Sequence, residues 1–149
     1  MYYGEFKRAS KKHLISCECL INSLDNNCSK EEKYILTTIY YLTGYIFETI
    51  LKFAIYSAIG YKNSEDIKKL NNNGLSYDSD IKIHNLTKLK RTVEAKNITS
   101  LSKYEDNKNL FSNWNSEIRY SENVEYSKEE ILSFFKFSKD TYETLQQYK

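Results

Sequence analysis

The 149-residue chain has no proline and only four glycines. The residues that usually punctuate sheets and turns are therefore nearly absent, which argues for a mostly helical domain. Cysteine is scarce and odd in number, at Cys17, Cys19 and Cys28. His13 stands four before Cys17 on an expected helix, so a zinc site is one reading of His13, Cys17, Cys19 and Cys28. No CxxC pair and no second nearby histidine completes that set, so small apolar core cysteines are the favoured reading and no metal or cofactor is expected. The opening MYYGEFKRAS lacks an apolar signal region, which with the odd cysteine count points to a reducing, cytoplasmic setting.

A long apolar run is also lacking. The uncharged run at residues 34–47 covers 14 residues, short of the roughly 18 that a membrane span wants. Continuing it would put Glu48 and Lys52 into lipid at about 2.5–3.5 kcal/mol each. A membrane span is rejected. A formal net charge of +2 is likewise too small to establish a nucleic-acid partner.

What is present is a globular balance, with 28% charged and 40% hydrophobic residues, in a chain sized for one domain over residues 1–149. Basic residues cluster at Lys7, Arg8, Lys11 and Lys12, and again at Lys82, Lys88, Lys90 and Arg91. Such runs are ordinarily solvated helix faces. The fourteen tyrosines could stack on bases, although a general bias toward Tyr, Asn, Ile and Lys accounts for their number more simply.

Apolar spacing places a first helix over about residues 6–24, through Leu14, Cys17, Leu20, Ile21 and Leu24. After the break DNNCSKEE, Ser29 and Glu32 read as a capping box for a second, longest helix that Gly60 should stop near residue 59. Ser64 is the expected cap of a short helix through Leu70, followed by an NNNG loop at residues 71–74. A further helix is expected from His84 through Glu94. LFSNWNSEIRY reads as a docked loop with about one helical turn. Ser127 and Glu130 form a second capping box, behind which Ile131, Phe134, Phe135, Ser138, Tyr142 and Leu145 share one face of a closing helix.

The second helix carries GYIFETILKF, residues 44–53, in which Gly44, Glu48 and Lys52 are unexpected for a core helix. Tyr41, Tyr45, Glu48 and Lys52 follow helical spacing and share one stripe. Glu48 precedes Lys52 by four, the favourable orientation for an ion pair. Apolar residues flank the stripe nearly all round, so it is expected to face a cleft or a subunit interface, where each charge needs a partner. The alternative is an ordinary surface pair. Gly44 would let a neighbouring backbone approach closely.

GYIFETILK resembles the G-Y-x-x-E-x-x-x-K signature of small prokaryotic HEPN domain proteins. His84-Asn85-Leu86 with Leu89 resembles that family's H-[DN]-L-x-x-L, and Trp114, Glu117, Arg119 and Tyr120 resemble W-x-x-E-x-R-Y. The resemblance spans about residues 6–148. It implies an all-α, up-and-down bundle of four to five helices that forms a homodimer, and binding of RNA or a nucleotide. It also implies a place in a toxin–antitoxin or defence module, in which many members are metal-independent endoribonucleases. The cutting members carry R-x4-6-H at the start of a late helix, the arginine holding phosphate and the histidine assisting the 2′-hydroxyl. Here residues 77–80 before His84 include no arginine, and Arg119 has no histidine after it. Arg8 and His13 form a literal R-x4-H, but on the first helix, where the family does not place it.

The sequence-level site is therefore His84 and Arg119 as the reacting pair, with Tyr45, Glu48, Lys52 and Tyr120 as binding residues. His84 can do acid–base work near neutral pH and Arg119 can hold phosphate. The competing readings are a structural ion network in a dimeric scaffold, and a non-catalytic partner of a nucleotidyltransferase-type antitoxin that modifies it.

Overall fold

The computed structural model describes residues 1–24, 29–72 and 74–148, with the side chains of Ser29 and Ser102 left aside. Cys28, Asn73 and the Ser29 half of the expected first capping box lie outside the described residues. The rest is mainly helical: α1 at Gly4–Asn22, α2 at Ser29–Ala58, α3 at Leu86–Ala95, α4 at Lys108–Asn113 and α5 at Lys128–Leu145. Short stretches at Ile67–Lys69, Ser102–Asn107 and Ser116–Tyr120 are tightly wound, and Tyr77–Ile81 is one wide turn. Among the described residues no helix is long and apolar enough to cross a membrane.

The long helix α2 is the axle, with α1, α3, α5 and the Ser116–Tyr120 turn packed against it. Every residue from 46 to 57 is buried, so the helix is covered on all sides over more than three turns. Helix α1 meets it through small polar side chains. Ser10 donates to the Ile46 carbonyl at 2.9 Å, and the Cys17 sulfur lies 3.8 Å from the Ile39 carbonyl and 3.9 Å from Thr43 Oγ1. Positions 10 and 17 are seven apart, so both fall on the contact face of α1, and their small volumes let the two helices approach. Phe111 joins α2 to α5, its ring 4.5 Å from Phe47 and 4.6 Å from Phe134.

The helix ends follow their local chemistry. Gly60, with φ of 67°, closes α2, while the Tyr61 amide bonds the Tyr56 carbonyl and the Gly60 amide that of Ser57. That pair of bonds is a Schellman ending, which favours glycine because φ is positive. Asn97 (φ of 53°) ends α3 with the same two bonds, from Asn97 to Glu94 and from Ile98 to Val93. The Ser127–Glu130 capping box opens α5 as expected, and the full predicted face of that helix is buried.

Four expectations shift. Asp66, not Ser64, caps the short turn, by accepting from the Lys68 amide at 3.0 Å. The NNNG segment is partly ordered by pairing, since Asn71–Asn72 and Leu75–Ser76 form a small antiparallel hairpin around Gly74 (φ of 75°). Helix α3 starts at Leu86 with Asn85 as its cap, because the Asn85 side-chain Oδ1 accepts from the Lys88 amide at 2.9 Å. His84 is thereby released from a capping role. The LFSNWNSEIRY segment is two short helical pieces, the end of α4 and the Ser116–Tyr120 turn, joined by the extended Trp114.

Candidate functional site

The stripe on α2 is not a surface feature. Glu48 is 3% exposed and Lys52 4%. Lys52 Nζ donates to Glu48 Oε1 at 2.7 Å, and Nζ also lies 5.9 Å from the centre of the Phe6 ring. Desolvated ions at these positions need partners, and each oxygen of Glu48 has one. The second, Oε2, accepts from His84 Nδ1 at 2.9 Å.

The Glu48–His84 bond fixes the imidazole. A carboxylate only accepts, so Nδ1 carries the proton that faces it, and Nε2 on the opposite edge of the ring is left outward. His84 keeps 51% of its side chain exposed. A buried carboxylate behind a half-open imidazole is the arrangement that holds a histidine in one orientation and one tautomer for proton transfer. Local structure supports it, since the Asn85 cap leaves residue 84 free at the mouth of the helix.

Outside His84 lies a cavity of about 430 Å³ lined by His84, Asn85, Thr87, Lys88, Arg91 and Ser112, with Leu86, Phe111 and Trp114 as its apolar part. Among the described residues no carboxylate lines it. Lys88 Nζ donates to the Ser79 carbonyl at 2.6 Å and sits 3.5 Å from Asp80. Arg91 is exposed and makes no ion pair among the described residues.

Tyr45 stands at the centre of an aromatic cluster. Its ring centre is 5.0 Å from that of Tyr41, 5.0 Å from Trp114, 6.2 Å from His84 and 5.6 Å from His13. Burial, followed by the neighbouring Tyr41, pushes its phenol well above the ordinary range. Trp114 seals the cluster, donating its Nε1 hydrogen to the Tyr41 carbonyl at 3.1 Å. The close approach at Gly44 is to this indole and not to a backbone: a Cβ there would lie 2.0 Å from two indole atoms.

Arg119 and Tyr120 sit on the Ser116–Tyr120 turn, held by the Asn115 cap. Both are exposed, and the guanidinium lies 4.7 Å over the Tyr120 ring. Tyr120, then Tyr41, holds the Arg119 guanidinium above its ordinary value. Arg119 lines a separate groove of about 310 Å³ with Tyr34, Thr37, Thr38, Tyr41, Ile118 and Ser121. Six sequence-level residues thus fall into two neighbouring places. Glu48, Lys52, His84 and Tyr45 meet directly, while Arg119 and Tyr120 border the adjoining groove, with the Arg119 charge felt at the Tyr45 phenol.

Residues not chosen from the sequence also line the site. Arg91 and Lys88 were visible as part of a basic run, and their position seven and four after His84 was the available signal. His13 faces Tyr45 from α1, and its imidazole is lowered from 6.5 by burial first and by Lys12 second, with Glu48 opposing. Arg8, its partner in the literal R-x4-H, instead pairs with Glu5 at 3.8 Å on the surface. Cys17 is fully buried and Cys19 exposed, so the two do not share a site. Compared with family models, with curated proteins and with solved structures, the chain gives no match in any of the three.

Proposed function

We propose that the chain is a HEPN-like protein that binds RNA or a nucleotide as part of a toxin or defence module, acting as a cytoplasmic homodimer. The observation that carries this reading is the Glu48–His84 hydrogen bond of 2.9 Å, which leaves His84 Nε2 beside a cavity lined by Lys88 and Arg91. Cations and an oriented imidazole next to aromatic rings suit a phosphate ester carrying a base. Arg119 and Tyr120 extend the surface with a third cation and a stacking ring.

Where RNA is cut, His84 Nε2 takes the proton of a 2′-hydroxyl. That oxygen attacks the adjacent phosphorus, and the bond from phosphorus to the 5′-oxygen breaks as that oxygen takes a proton from water, giving a 2′,3′-cyclic phosphate and a 5′-hydroxyl. The step uses no metal ion. Incubation of the purified protein with total RNA in EDTA tests it directly. His84→Ala is expected to remove cleavage while RNA binding persists, and Arg119→Ala to weaken binding with little change in the melting temperature. Cleavage that survives His84→Ala counts against the role of the histidine.

A second reading is favoured by one observation: both oxygens of Glu48 are already satisfied, so Lys52, Glu48 and His84 also make sense as a structural network. The chain would then be a dimeric scaffold, or the non-catalytic partner of a nucleotidyltransferase. Under that reading His84→Ala lowers stability and leaves RNA binding untouched. Light scattering at micromolar concentration tests the dimer in either case.

A further inference from the structure

We infer that the cavity at the start of α3 receives a terminal phosphate, that of a mononucleotide or of an RNA 5′ end, with Arg91 as its principal anchor. The inference rests on the nucleotide- or RNA-binding reading above and narrows it. Three basic side chains, His84, Lys88 and Arg91, line the cavity, and among the described residues no carboxylate does. Their charges are not equally available. His84 shares Glu48 with Lys52, and Lys88 lies 3.5 Å from Asp80. Arg91 is exposed with no ion pair among the described residues, so its guanidinium is the most available of the three.

The chemistry of the lining distinguishes kinds of phosphate. A terminal phosphate presents three acceptor oxygens and carries a charge near −2 at neutral pH, enough to engage the Arg91 fork, the Lys88 ammonium and, with a proton on Nε2 as well as Nδ1, the His84 imidazolium together. An internal phosphodiester has two free oxygens and a single charge, and leaves one of the three donors unmet. Ser112 and Thr87 border the same space, although the Thr87 hydroxyl is already 2.7 Å from that of Tyr104. Leu86, Phe111 and Trp114 supply an apolar wall for the organic part of the ligand. A volume of about 430 Å³ is within the range of small-molecule sites and too small for a duplex.

Calorimetric titration of the whole protein tests the assignment with four probes: AMP, adenosine, and one single-stranded RNA oligonucleotide with either a 5′-phosphate or a 5′-hydroxyl. The phosphorylated oligonucleotide is expected to bind at least tenfold tighter than its 5′-hydroxyl form, and AMP at least tenfold tighter than adenosine. Arg91→Ala should abolish that difference by bringing the phosphorylated oligonucleotide down to the affinity of its 5′-hydroxyl form, while Arg8→Ala, on a surface residue paired with Glu5, should preserve it. AMP matching the phosphorylated oligonucleotide assigns a free nucleotide as ligand; a markedly tighter oligonucleotide assigns an RNA end. Equal affinity for the two oligonucleotides, or an Arg91→Ala loss equal for both, overturns the inference while RNA binding itself stands. Absence of binding by all four probes overturns the inference together with the reading beneath it. A melting curve of Arg91→Ala within a degree or two of the wild type confirms that the comparison reports on the cavity.

Discussion

Trp114 occupies the space that a side chain at Gly44 would fill. Two indole atoms lie 2.0 Å from the position of a Cβ there, and the ring, 4% exposed, cannot withdraw into solvent without losing its bond to the Tyr41 carbonyl. The glycine lowers helix propensity in the middle of α2 and gains a seat for the largest side chain in the Tyr45 cluster.

Gly44→Ala is accordingly expected to destabilise the fold by about 1–3 kcal/mol through overpacking, despite alanine's better helix propensity. Pairing it with Trp114→Leu should give less than the sum of the single losses, because the two residues share one space. Urea unfolding followed by circular dichroism reads all three variants. A neutral or stabilising Gly44→Ala would mean that the indole packs elsewhere.

The buried pair offers a second test. Lys52→Met removes one of the two partners of Glu48 and should cost about 3 kcal/mol, near the low end for a broken buried pair because His84 still donates. Glu48→Gln/Lys52→Met should recover much of that loss, since no uncompensated ion remains. A surface pair would show single-variant effects under about 1 kcal/mol.

Acid sensitivity follows from His13. Burial and Lys12 lower its imidazole below 6.5, so the unfolded chain binds the proton more readily than the fold does. The stability linked to neutral His13 is present in full above pH 6.5 and is lost progressively as the pH falls from there through the lower folded value. His13→Gln should flatten the fall in urea midpoint between pH 7.5 and 5. An unchanged slope would place the acid sensitivity in another group.

Thiol chemistry separates the two described cysteines. Burial pushes the Cys17 thiol up to about 12, and the side chain is wholly enclosed. Brief treatment of the native protein with iodoacetamide should modify the exposed Cys19 and spare Cys17, which reacts once the protein is unfolded. Mass spectrometry of the digests distinguishes the sites.

The features legible in the sequence are those that local chemistry decides. Gly60 as a helix stop, the Ser127–Glu130 box and the buried face of α5 depend on residues within a turn or two of each other. The cap at Asp66 was harder to read because Ser64 is an equally good capping residue; in the fold Asp66 stands directly before the buried Ile67. Long-range choices were opaque. Nothing near Gly44 in sequence announces Trp114, and the rotation of α1 that brings His13 to Tyr45 is set by Ser10 and Cys17 packing on α2. Within the site, the link of Glu48 to Lys52 was legible as helix spacing. The meeting of Glu48 with His84 was an expectation drawn from the resemblance and not from spacing, because it joins α2 to the loop before α3, and Arg91 was hidden in a basic run with the look of a solvated face.

The central claim is that His84, held by Glu48, faces the ligand. With histidine only at positions 13 and 84, imidazole NMR spectra of the labelled protein contain two sets of ring signals, assigned with His13→Gln. Titration with a 5′-phosphorylated single-stranded RNA oligonucleotide should move the His84 ring signals progressively, and Arg91→Ala should shift that response to higher RNA concentration. His84 signals that stay fixed throughout the titration, whether or not RNA binds elsewhere on the protein, would contradict the account.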